Sequence, residues 1–60
     1  MMIDIYVDRL QKLYRTRKRK SADEIRAIAN LLVDAEKEYG VTIETDPDID
    51  IYALAGRKEH

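Results

Sequence analysis

From residue 3 to residue 14 the apolar positions Ile3, Tyr6, Val7, Leu10, Leu13 and Tyr14 return at steps of three and four. At 100° per residue they gather in an arc of roughly 120°, the stripe of an amphipathic helix, and the pattern predicts a helix over about residues 3–18. Ile5 falls on the polar side of that stripe, so either the first turn is not helical or a second surface covers it. The alternating Met2-Ile3-Asp4-Ile5-Tyr6-Val7 leaves a short N-terminal strand as the other reading of this end.

Ser21 followed three residues later by Glu24 has the form of a capping box, in which hydroxyl and carboxylate each accept from the other residue's amide, so a second helix is expected to begin at Ala22. Its apolar residues, among them Ile25, Ile28, Leu31, Leu32 and Tyr39, sweep an arc of roughly 200°, wider than one partner helix can cover. Leu31 lies at the far edge of that arc. Gly40 stands directly after Tyr39 and suits the left-handed residue that ends a helix.

After Gly40 the period changes to two. Val41, Ile43 and Thr45 alternate with Thr42 and Glu44, and Ile49, Ile51 and Ala53 alternate with Asp50 and Tyr52. Folding the chain at Asp46-Pro47-Asp48 sets Ile43 opposite Ile51 and predicts a β-hairpin over about residues 41–54, with proline at the second position of its turn. The competing reading is a short third helix over about residues 47–55, with Asp46 as N-cap, Pro47 at the first position and Gly56 as the stop. The expected fold class is therefore α+β: an antiparallel two-helix hairpin followed by a C-terminal β-hairpin packed on the second helix. The alternative is an all-α chain of three helices. No repeat or linker divides the 60 residues, so a single small domain is expected.

Composition enters where it limits function. A chain of this length buries only about 60% of its unfolded surface, and small scaffolds of this kind usually gain stability from a staple or a partner. The absence of cysteine removes disulfides, thiolate metal sites and cysteine nucleophiles, and makes a cytoplasmic setting the expectation. A homodimer is then the expected extra stabiliser. No apolar run approaches the roughly 20 residues of a membrane span, and the start lacks the order of a signal peptide. The first helix turns basic toward its end, which suits a lipid surface, but Asp4 and Asp8 on its polar face oppose adhesion to anionic lipid.

The net charge of -1 conceals two poles. Residues 9–20 hold seven cations and no acid, whereas residues 21–56 hold nine acids against Arg26 and Lys37. Arg15, Arg17, Lys18, Arg19 and Lys20 place five cations in six positions. The helix dipole favours cations at a carboxyl end but accounts for two or three of them, not five. This run is the candidate site for phosphate or for an acidic protein surface, set against the plainer reading of a solvated corner. A helix-turn-helix is excluded in its usual form, because the second helix would offer Asp23, Glu24, Asp34 and Glu38 to the groove.

Other chemistry is thin. Asp46, Asp48 and Asp50 have the spacing of a calcium loop, but Ile51 stands where glycine is needed and Arg57 where the bidentate glutamate is needed. Ser21 is the only serine and His60, the only histidine, is the last residue, so no nucleophile, base and acid can be assembled. The sequence points to no catalytic residue, no metal, no cofactor and no small-molecule substrate. It points instead to a non-enzymatic regulator or inhibitor that binds a protein partner, with Ile5, Tyr14 and Leu31 as candidate interface residues. The alternative is a nucleic-acid-binding protein acting through residues 15–20, with Tyr14 placed to stack on a base.

Overall fold

The structure is a computed structural model and describes residues 2–16 and 21–57. It contains three helices, α1 (Met2–Thr16), α2 (Ala22–Tyr39) and α3 (Ile51–Leu54). The first two lie where the threefold and fourfold apolar steps predict them. Helix α1 places Asp4 in its first turn and Arg15 in its last, both complementary to the helix dipole. Residues 17–20, the end of the predicted first helix and most of the basic run, lie outside the described residues.

Helix α2 starts at Ala22 as expected, yet not through the expected cap. Ser21 sits in the right-handed helical region (φ -91, ψ -6) and its side chain makes no capping hydrogen bond. A capping serine needs the extended backbone that lets its hydroxyl reach forward. Glu24, the other half of the box, is instead drawn across to α1, where Arg9 Nε donates to its Oε2 at 2.9 Å.

The C-terminal β-hairpin over 41–54 is not present: no strand occurs among the described residues, and the all-helical alternative fits. The turn itself is where the sequence places it, with the Ile49 amide donating to the Asp46 carbonyl at 2.9 Å across Pro47 and Asp48. Beyond the turn, Asp50 decides the conformation. Its carboxylate accepts from the Tyr52 and Ala53 amides at 3.0 and 3.3 Å, capping a helix where a second strand was expected. The short helix therefore starts at Ile51, four residues beyond the predicted Pro47, and its N-cap is Asp50, not Asp46. Residues 41–46 have no regular structure, and two of their amides turn to side chains: Ile43 donates to Glu36 Oε2 at 2.8 Å and Asp46 to Gln11 Oε1 at 3.2 Å. An isolated two-stranded hairpin is marginal in water, and two helices offering acceptors win over it.

Both glycines end helices in the left-handed region. Gly40 has φ 63, and the Val41 amide reaches back to the Glu36 carbonyl at 3.2 Å. Gly56 has φ 73; its amide donates to Ala53, and the Arg57 amide to Tyr52 at 2.9 Å, the paired bonds of a Schellman ending. Gly40→Ala and Gly56→Ala should each cost about 1 kcal/mol, because a Cβ is disfavoured at that φ. At Gly56 the new methyl would also meet the Arg26 guanidinium, but that is the far end of a flexible side chain. Thermal unfolding of the two variants should therefore give similar drops in Tm, of roughly 4 to 8 °C each.

The core lies between α1 and α2 and is closed by α3. Leu10, Ala29, Leu32 and Val33 are fully buried, and Ile28, Ile49, Ile51 and Ala55 join them. Ile49 and Ile51, paired on one strand face by the sequence pattern, do both reach the core, one just before α3 and the other at its first residue. Arg57 donates to Asp34 at 2.7 Å and Asn30 to the Ala55 carbonyl at 3.2 Å, holding the α3 end along α2. No described helix is long and apolar enough to cross a membrane.

Candidate functional site

The chain after Gly40 runs back beside α1, and side chains from both long helices fix it there. Glu36 is the central acceptor: one carboxylate oxygen takes the Ile43 amide and the other takes the Tyr52 hydroxyl at 2.7 Å, so one residue of α2 ties together the irregular segment and α3. On the α1 side Gln11 accepts the Asp46 amide, Tyr14 donates its hydroxyl to the Asp48 carbonyl at 3.3 Å, and Arg15 Nη2 reaches Asp46 Oδ2 at 3.1 Å.

Between the N-terminal half of α1 and residues 41–44 this arrangement leaves an open groove of about 430 Å³. Ile3, Val7, Val41 and Ile43 make it apolar, and Asp4 and Glu44 add acidic groups. Ile43 and Thr45 are half-buried while Thr42 and Glu44 are exposed or nearly so along an alternation with the period of an extended chain. Among the described residues the amides of Thr42 and Glu44 find no hydrogen-bond partner, whereas those of Val41 and Ile43 are taken by Glu36.

The residues singled out from sequence divide in space. Arg15 is engaged by Asp46, an exposed pair that brings the acidic turn beside the start of the basic run. Arg17, Lys18, Arg19 and Lys20 lie outside the described residues. Tyr14 is half-buried and spent on the Asp48 carbonyl, on the side of α1 that carries the 46–49 turn. Ile5 and Leu31 are exposed, at 69% and 41%, and Leu31 does not lie beneath the C-terminal segment. Tyr39, grouped with the apolar arc of α2, is 65% exposed. Asp46 and Asp50 of the calcium-like spacing are occupied by Arg15 and by the α3 cap, and no three acids or histidines gather among the described residues.

The electrostatics are those of a wet surface. Arg9 is held above its ordinary pKa by the hydrogen bond to Glu24 and by the charge of that carboxylate. The ion pairs Arg9–Glu24, Lys12–Asp8 and Arg57–Asp34 all lie on the surface and contribute little apiece. Reasoning from sequence missed the groove and Glu36; the glutamate's only signal was that it broke the apolar arc of α2. Compared with known proteins, the chain matches no family model, no curated protein and no solved structure.

Proposed function

We propose that the chain is a non-enzymatic protein-binding module, a cytoplasmic regulator or inhibitor that takes an extended segment of its partner into the groove beside residues 41–44. The observation that supports this is the combination found there: an apolar floor from Ile3, Val7 and Val41 next to an edge whose Thr42 and Glu44 amides have no partner among the described residues. An added strand gains affinity from main-chain hydrogen bonds and specificity from alternate side chains in the groove. Glu44 at its lip, in a half of the chain carrying a large acidic excess, selects a partner segment that alternates apolar with basic residues.

The test is an amide chemical-shift titration with two probes, acetyl-Lys-Val-Lys-Val-Lys-Val-amide and its glutamate counterpart. Saturable shifts confined to residues 3–7 and 41–45 with the basic peptide, weaker by tenfold or more with the acidic one, are expected. No saturable shift at those residues removes the groove as the docking site. The second reading, nucleic acid gripped by residues 15–20, is favoured by the five cations in six positions. It is separated in the same titration by a DNA duplex, whose affinity would fall with salt at a log-log slope of roughly -0.9 per phosphate contacted.

A further inference from the structure

A second surface lies on the other side of the helix pair, and it is independent of the groove. The Arg9–Glu24 contact at 2.9 Å fixes the register of the antiparallel α1 and α2. Ile5 is one turn below Arg9 on α1, about 40° round the helix from it, and Leu31 is two turns below Glu24 on α2, about 20° round. Ala27, also exposed, lies between Glu24 and Leu31 on that same side. Descending from one shared contact on antiparallel helices, Ile5, Ala27 and Leu31 come to one face. Gln11, which holds the irregular segment, is about 120° round α1 from Ile5, so that segment does not cover them.

We propose that this face docks a second copy of the chain, with the two-fold axis running along the helices so that α1 of each copy lies antiparallel over α2 of the other. Such an isologous contact sets Ile5 into the hollow between the partner's Ala27 and the partner's Leu31, twice over. A small residue between larger ones is the shape a branched side chain enters when helices pack.

Charge selects a copy of the same chain over another partner. The α1 rim of the face carries the cations Arg9 and Lys12, the latter beside its i−4 partner Asp8, and the α2 rim carries the anions Asp23 and Glu24, with Glu24 at the height of Arg9. Crossing α1 over α2 brings Lys12 toward the partner's Asp23 and Arg9 toward the partner's Glu24. A two-fold axis across the helices would instead lay α2 antiparallel over α2 and α1 over α1, without pairing the α1 cations with the α2 anions. The result is a four-helix arrangement that buries two exposed large apolar residues per chain and leaves both grooves open, so the assembled protein presents two docking sites.

Sedimentation of the whole chain from 1 to 500 µM should show a monomer–dimer equilibrium. Ile5→Asp and Leu31→Asp should each raise the dissociation constant at least tenfold while leaving the helical circular dichroism unchanged. Lys12→Glu should weaken the dimer severalfold, and adding Asp23→Lys should restore it. Because the chain has no cysteine, Ile5→Cys and Leu31→Cys proteins can be mixed and oxidised. Disulfide heterodimers in excess over either homodimer are expected. A monomer throughout that range overturns the proposal. So does a dimer indifferent to Ile5→Asp, or preferential Ile5→Cys self-linkage, which would place a different surface or a different axis at the contact.

Discussion

Leu32→Ala is expected to remove most of the stability of this domain, and its sequence neighbour Leu31→Ala almost none. Leu32 is fully buried in the cluster with Leu10, Ala29 and Val33, whereas Leu31 looks outward. Truncating a buried leucine costs about 2 to 5 kcal/mol, combining lost transfer energy with the cavity left behind. At about 0.05 to 0.15 kcal/mol per residue, a chain of 60 residues has only roughly 3 to 9 kcal/mol to lose. The Leu32 variant should therefore melt at least about 10 °C lower or be partly unfolded at room temperature. Leu31→Ala, measured dilute enough to keep the chain monomeric, should stay within about 0.5 kcal/mol of the parent, as surface changes do. Urea unfolding followed by circular dichroism compares the two; equal midpoints would mean that the two faces of α2 are not as described.

That contrast also shows what the sequence could and could not convey. Helices α1 and α2 were legible because each carries three or more turns of apolar positions at helical spacing, and Gly40 marks an end that only glycine reaches at low cost. Ile5 was legible as an apolar residue off its own stripe, and Leu31 as one at the far edge of an arc too wide for a single partner helix. The C-terminal third was not. Ile43 and Thr45 alternate with Thr42 and Glu44 because one side of an irregular segment faces the core, Val41 stays exposed beside the groove, and Ile49 and Ile51 are both buried for different reasons, one in a turn and one in a helix. Alternation reports which residues face inward but not what pairs with the backbone between them. The partners are Glu36, Gln11 and Asp50, and the first two come from helices about 7 to 35 positions away in the chain. Local pattern has no access to such contacts. The groove went unseen for the same reason, since its two walls, residues 3–7 and 41–44, lie far apart in the sequence.

The acidic turn gives a similar lesson. As a sequence feature the three aspartates suggest the spacing of a calcium loop that lacks its glycine and its glutamate. In the fold Asp46 meets Arg15, Asp50 caps α3, and the Asp48 carbonyl takes the Tyr14 hydroxyl. Two of the three carboxylates, those of Asp46 and Asp50, are engaged within the chain, and Asp46 brings the acidic turn against Arg15 at the start of the basic run.

Glu36→Ala should have the second largest effect, and of a different kind: it should loosen the C-terminal half while leaving the helical pair in place. The carboxylate accepts from the Ile43 amide and from the Tyr52 hydroxyl, and hydrogen bonds to a charged acceptor contribute about 1.5 to 3 kcal/mol each. Alanine removes both acceptors at once, and the part-buried Ile43 amide is left to find water. Native-state hydrogen exchange reads this directly. The Ile43 amide should exchange at least tenfold faster in the variant, with the α3 amides accelerated as well, while the amides around Leu10 keep their protection. Glu36→Gln keeps a single carbonyl oxygen and can satisfy only one of the two donors, so it should fall between alanine and the parent. If exchange at Ile43 is unchanged in Glu36→Ala, the segment is held by the packing of Ile43 on the core and not by the glutamate. The groove beside residues 41–44 would then owe its wall to apolar contact alone. If the predicted acceleration is seen, the same variant should bind the basic probe peptide more weakly, because the edge that receives it is no longer fixed before binding.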